Sequence, residues 1–173
     1  MKNFLLILVL AISFFSCKSK IEIKPLESKS TIKEKVNKVL DGWHLAASEA
    51  NYQDYFGKMD SVSVFIGTDA TENWTKTEFE SFSKPYFDKG KAWSFTALER
   101  NVYVNNDRNF VWFDELLDTW MGTCRGSGVL ENKNGNWLIK HYVLSVEIPN
   151  ADVQAVILAK KKNDSIFLSR YKK

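Results

Sequence analysis

From Gly90 to Glu147 the chain alternates long aromatic and β-branched runs with short turn signals, and this stretch limits the fold more than any other. Lys91 to Val104, Phe110 to Met121, Arg125 to Glu131 and Trp137 to Glu147 read as strands. Their connections are Asn105-Asn106-Asp107, a tight turn near Gly122, and Asn134-Gly135. Asn-Gly is the strongest short hairpin signal, because both residues tolerate the positive φ of a tight primed turn. Connections this short cannot carry a parallel crossover, so the stretch is an antiparallel meander.

The half before Gly90 has a different period. Thr31-Ile32-Lys33-Glu34 reads as a capping box, with Thr31 as the cap. Ile32, Val36, Val39, Leu40, Trp43 and Ala47 then follow at three- and four-residue spacing, giving a helix to about Ala50 with one buried face. Tyr52 to Lys58 is a short second helical piece, and Ser61 to Ile66 alternates as a strand. Thr75-Lys76-Thr77-Glu78 opens another helix, which Pro85 is expected to bend or restart and Gly90 to end. Helices grouped on one side of an antiparallel sheet define an α+β domain. Long strands curving around a helix leave a concave mouth, a common place for a small-molecule site. Asn150 onward returns to a helix-like stretch and a basic tail.

Several local motifs carry a family resemblance. They are Trp43-His44, Gly67-Thr68-Asp69 with Glu72 and Trp74, Lys84-Pro85-Tyr86-Phe87 with Gly90-Lys91-Ala92-Trp93, Trp112-Phe113-Asp114-Glu115, Arg125 to Leu130, and His141-Tyr142. Over residues 30–149 the chain resembles the SnoaL-like group of the nuclear transport factor two-like superfamily. The resemblance implies a cone-shaped α+β barrel, often dimeric through its sheet. It implies much less about activity, since the superfamily holds cyclases, isomerases, dehydratases and members without known activity.

Within such a cone, Glu115 and Arg125 flank a hairpin turn and are a candidate internal ion pair. A one-residue slip in register would instead put them on the outer face. Asp114, Asp118, Trp112 and Trp120 share one parity, and Val111, Phe113, Glu115 and Leu117 the other. The Trp content favours the first set inward, the aliphatic content the second. His44 and His141 are candidate acids or bases, since imidazole titrates near neutrality, or else structural residues. Trp43, Tyr55, Trp74, Trp93, Trp112, Arg125 and His141 are the expected ligand-binding set, with Glu115 and His44 as proton shuttles if the chain is an enzyme. Asp69 and Glu72 either bind a cation or serve as helix caps. Gly122-Thr123-Cys124-Arg125-Gly126 has the spacing of a nucleophile elbow, but a hairpin is the wrong context, so Cys124 reads as a small buried residue.

No metal site or cofactor is expected, because the two His have no ligand-spaced partners. A net charge of +3 is too small to argue for nucleic acid. The expected partner is a small apolar or amphipathic ligand, bound without turnover. The alternative is an isomerase, cyclase or dehydratase.

The N-terminus sets an address. Lys2, the apolar run from Phe4 to Phe15, and Ser16 before Cys17 have the parts of an export signal. The run falls short of the about 20 residues a transmembrane helix needs. Phe14-Phe15-Ser16-Cys17 is similar to the lipobox of bacterial lipoproteins, although Phe14 stands where Leu is usual. The similarity implies a signal peptide over residues 1–16, lipidation of Cys17, and a polar tether over residues 17–29. Lys18 after the Cys implies the outer membrane of a bacterial cell envelope, with the domain facing the periplasm. Residues 30–149 form the domain, and residues 150–173 a C-terminal helix and basic tail.

Overall fold

The computed structural model describes residues 26–172. The expected signal, Cys17 and most of the tether lie outside them. Among the described residues, no helix is long and apolar enough to cross a membrane.

The first helix, α1 (Lys29–Ser48), starts earlier than Thr31 would have set it. Ser28 is the cap, and its hydroxyl accepts the Thr31 backbone N–H at 3.1 Å. Thr31 therefore lies inside the first turn. The apolar spacing works as expected: Ile32, Val36, Leu40, Trp43 and Ala47 are all buried on one face. α2 (Tyr52–Gly57) follows after a sharp turn, then strand β1 (Met59–Ile66) and a three-residue strand β2 (Asn73–Thr75). β2 is too short to carry an alternation signal. Helix α3 (Lys76–Asp88) has the Thr75–Glu78 capping box and runs straight through Pro85. Gly90 follows its end at φ +67°.

The meander is β3 (Thr96–Val104), β4 (Phe110–Thr119), β5 (Gly122–Lys133) and β6 (Asn136–Val146). Asn134 and Gly135 turn at φ 55° and 92°, as the dipeptide suggests. The sheet order is β2-β1-β6-β5-β4-β3, antiparallel throughout except where β1 runs parallel to β6. The sheet curves without closing, so the cone is an open one: β2 and β3 are its two edges. α1 and α3 cover the concave face, and the core lies between. A short 3-10 turn (Asn150–Asp152) leads to α4 (Val153–Ser169), which buries none of its residues.

The two ends of the sheet differ. At one, the β3–β4 turn holds the start of the described chain: Arg108 donates to the carbonyls of Leu26 and Glu27 at 2.9 and 2.7 Å, and Lys29 reaches Asn106. At the other, the β4–β5 turn, the loop after β1 and the end of β6 surround an opening into the interior.

Candidate functional site

Side-chain alternation on β4 settles which parity faces inward. Val111, Phe113, Glu115 and Leu117 are buried, while Trp112 and Asp118 are exposed. Trp112 is on the outer face because it has a partner there: it stacks on Tyr103 of the neighbouring strand, with centroids 5.7 Å apart.

The register also replaces the expected partner of Glu115. On β5 its neighbour is Gly126, so Arg125 points outward, where it bonds Glu147 at 3.0 Å and lies 3.6 Å from Asp114. On β3 its neighbour is Arg100. The Arg100 guanidinium donates from Nε to Glu115 Oε2 at 2.8 Å, and from Nη1 to Asp41 of α1 at 2.6 Å. The other carboxylate oxygen, Oε1, lies 2.8 Å from His44 Nε2 and accepts the Tyr142 hydroxyl at 3.1 Å. Gly126 makes room for this cluster, since a Cβ there would collide with the Tyr142 hydroxyl.

Glu115 has no solvent exposure, and burial alone would push its pKa up. The hydrogen bond from His44, together with the Arg100 guanidinium, outweighs that and holds it below the usual carboxylate range. Tyr142 is raised well above the ordinary tyrosine value by burial and by the neighbouring Glu115 charge. Both Glu115 oxygens are engaged, so the carboxylate orients its neighbours and is poorly placed to take a proton itself. His44 Nδ1 has no hydrogen-bond partner among the described residues.

His141 is not in the cone. Val129 and Leu130 pair with His141 and Ile139, so Lys140 is an extra residue in β6. The bulge breaks the shared face that uniform alternation would give. Ile139 stays buried inside, while His141 turns outward beside Val64 and Val129.

The opening at the other end is a cavity of about 340 Å³. Of the expected ligand-binding set, Trp74 and Trp93 line it. Tyr55 packs edge-on behind Trp93 with centroids 5.5 Å apart, and Trp43 stacks on Tyr55 at 4.9 Å, deeper still. Both are core residues, and the Tyr55 hydroxyl and Trp43 indole nitrogen have no hydrogen-bond partner among the described residues. Sequence reasoning missed Phe65, Phe79, Phe82, Phe95 and Trp120, which complete the aromatic wall. Phe79 and Phe82 were legible as a helix face, but only the tertiary fold points them at a cavity. Several of these rings lie nearly parallel: Phe65 and Phe79 stack at 4.0 Å and 15°, and Trp74 and Phe82 at 4.5 Å and 25°.

One layer of side chains separates this pocket from the polar cluster. Phe95 lies 6.2 Å from His44, and Phe65 lies 5.5 Å from Tyr142, ring to ring. Cys124 is buried within β5, away from any helix start. Among the described residues no group of three or more His, Cys, Asp or Glu is placed to hold a metal ion.

A helix-covered open cone is the architecture of the nuclear transport factor two-like superfamily. Within it, this chain belongs to the SnoaL-like domain family, which matches residues 36–149. Similar solved structures include a nuclear transport factor two-like protein of unknown function from Pseudomonas putida. It has 11% identity and a TM-score of 0.59, over 71% of this chain and 91% of that one. A putative dehydratase of the same superfamily from Streptomyces avermitilis has 9% identity and a TM-score of 0.61, over 70% and 100%. The kinase II association domain from Caenorhabditis elegans has 20% identity and a TM-score of 0.57, over 70% and 100%. At these identities the likeness is one of fold. No curated protein sequence matches the chain.

Proposed function

We propose that this chain is a binding module whose mouth pocket holds a flat apolar or amphipathic small molecule without turning it over. The carrying observation is a cavity of about 340 Å³ walled largely by stacked rings, beside a charged cluster whose carboxylate is fully engaged. The size falls in the roughly 300–1,000 Å³ span of small-molecule sites. Parallel ring walls favour a flat ligand that extends the offset stack. The test is titration of the protein with the neutral fluorophore N-phenyl-1-naphthylamine. It should bind in the wild type and bind at least tenfold more weakly in Trp93→Ala. Equal affinity in both proteins, or none in either, would sink this reading.

One observation favours a second reading, an isomerase, cyclase or dehydratase. A carboxylate-oriented imidazole with an unengaged nitrogen is the arrangement of a general base. In that case His44 moves the proton and Glu115 positions it, and His44→Gln would abolish turnover while leaving ligand affinity intact.

The cellular setting belongs to the same proposal. Cys17 carries the lipid, and the polar segment after it tethers the domain in the bacterial envelope. Cys17→Ser should release the domain from the membrane fraction. A second copy docking on the outer sheet face, where Tyr103, Trp112 and Leu98 are exposed, would account for its apolar surface.

A further inference from the structure

The loop after β1 carries an acidic residue whose carboxylate the fold engages through a single backbone hydrogen bond. The backbone N–H of Thr75 and its hydroxyl, at the start of α3, are held by Glu78 at 2.8 and 2.7 Å. Asp69 accepts the Thr71 N–H at 2.8 Å and closes its own turn. Capping therefore accounts for Glu78 and Asp69, but not for Glu72. The Glu72 carboxylate accepts one hydrogen bond, from the Asp69 N–H at 3.1 Å, and forms no ion pair among the described residues. It lines the mouth pocket. The loop is pinned there by the Gly67 N–H bonding the Glu72 carbonyl at 2.9 Å. The missing Cβ of Gly67 leaves the space that the folded-back carboxylate takes.

Among the described residues, no Lys, Arg or His lines the same pocket. The nearest basic groups along the chain's C-terminal helix face an adjoining cleft against residues 68–71. There Lys160 is paired with Asp164, and Arg170 lies over the Phe167 ring. The rim also holds two large rings with uncovered surface. Trp120 is 79% exposed and makes no ring-to-ring contact among the described residues, and Tyr86 is paired ring to ring with Phe82. Aromatic faces carry negative quadrupole charge and attract cations, most strongly where water is thinned out. A lone carboxylate beside such faces gives a pocket of one sign.

We infer that the ligand of the mouth pocket is an organic cation, an ammonium or quaternary ammonium group on an apolar body, with Glu72 as its counter-charge. This rests on the pocket being a binding site and names the chemistry of what it binds. The ammonium sits between Glu72 and the rim rings, and the apolar body lies along the stacked wall of Phe79, Trp74 and Trp93. An anion meets repulsion from both the carboxylate and the ring faces.

The experiment compares two probes of equal shape by calorimetry on the full chain: (4-hydroxyphenyl)trimethylammonium and its neutral isostere 4-tert-butylphenol. The cation should bind at least tenfold tighter than the phenol. Glu72→Gln keeps an acceptor for the Asp69 N–H, and should weaken the cation tenfold while leaving the phenol within twofold. Equal binding of the two probes to the wild type overturns the cation assignment and leaves the pocket standing, and this comparison needs no variant. A Glu72→Gln protein that folds and keeps its cation preference overturns the role of Glu72. Failure of both probes and of N-phenyl-1-naphthylamine removes the pocket itself, and this inference with it.

Discussion

The Glu115 cluster and the aromatic mouth are separated by one layer of side chains, yet they resolve the problem of buried polarity in opposite ways. Around Glu115, groups from α1, β3 and β6 meet and occupy both carboxylate oxygens: Arg100 binds both Glu115 and Asp41, and His44 and Tyr142 take the remaining oxygen. At the mouth, Glu72 faces rings and open space, with one backbone hydrogen bond. A carboxylate with both oxygens engaged stiffens a fold and has little left to offer a ligand. An unsaturated carboxylate at an opening costs less, because water reaches it, and it can still attract a partner. The difference separates residues that hold the cone from residues that face its contents.

That contrast is most directly broken by removing the centre of the cluster. Glu115→Ala leaves the Arg100 guanidinium buried without its main counter-charge, and should cost about 3–5 kcal/mol of stability. Urea unfolding would measure it, and a loss under about 1 kcal/mol would mean that the cluster is not what stiffens the interior.

Acid should act on the interior carboxylates next. Asp60 is also buried; burial pushes its pKa up, but Lys133, the Val62 N–H and Lys140 hold it at about 2. Glu115 is likewise lowered. Both folded values lie below the unfolded ones. Their stabilisation is therefore complete above about pH 4.5 and disappears as the pH falls through the folded values. Stability measured between those limits should decline in the wild type and decline less in Asp60→Asn. Trp93→Ala, at the mouth, should keep the full acid slope.

The smallest effect belongs to the rim. Trp120→Ala should change stability by no more than about 0.5 kcal/mol, because its ring is already in solvent. Its effect on an aromatic cation should be a loss of roughly two- to tenfold, the worth of one ring contact. A large drop in stability would mean that Trp120 holds the turn together and is not a free binding surface.

Much of the fold was legible in the sequence. Helix periodicity, the Thr75–Glu78 box and Asn134-Gly135 are local signals, and local signals fix elements. The site was less legible, because pairings across strands decide it. Glu115 was singled out and lies inside the cone, but its partner depended on register, and Arg100 sits in a strand with almost no apolar alternation to fix its face. The single bulged residue Lys140 moved His141 from inside to outside. Trp112 misled by composition alone: an aromatic residue reads as core until a stacking partner such as Tyr103 gives it a place on the surface. Pro85 stayed within its helix, near the C-terminal end, although it has no N–H to give the Ser81 carbonyl.

The grip of Arg108 on the carbonyls of Leu26 and Glu27 has a consequence for orientation. It fastens the chain's entry into the domain at the β3–β4 turn, and the pocket opens beyond the β4–β5 turn, at the far end of the same strand. If the proposed lipid anchor holds the N-terminal segment at a membrane, the domain would stand on its β3–β4 end like a cup on its base. Its opening would then face the surrounding solution, and the proposed ligand would reach it without first crossing the layer that holds the protein.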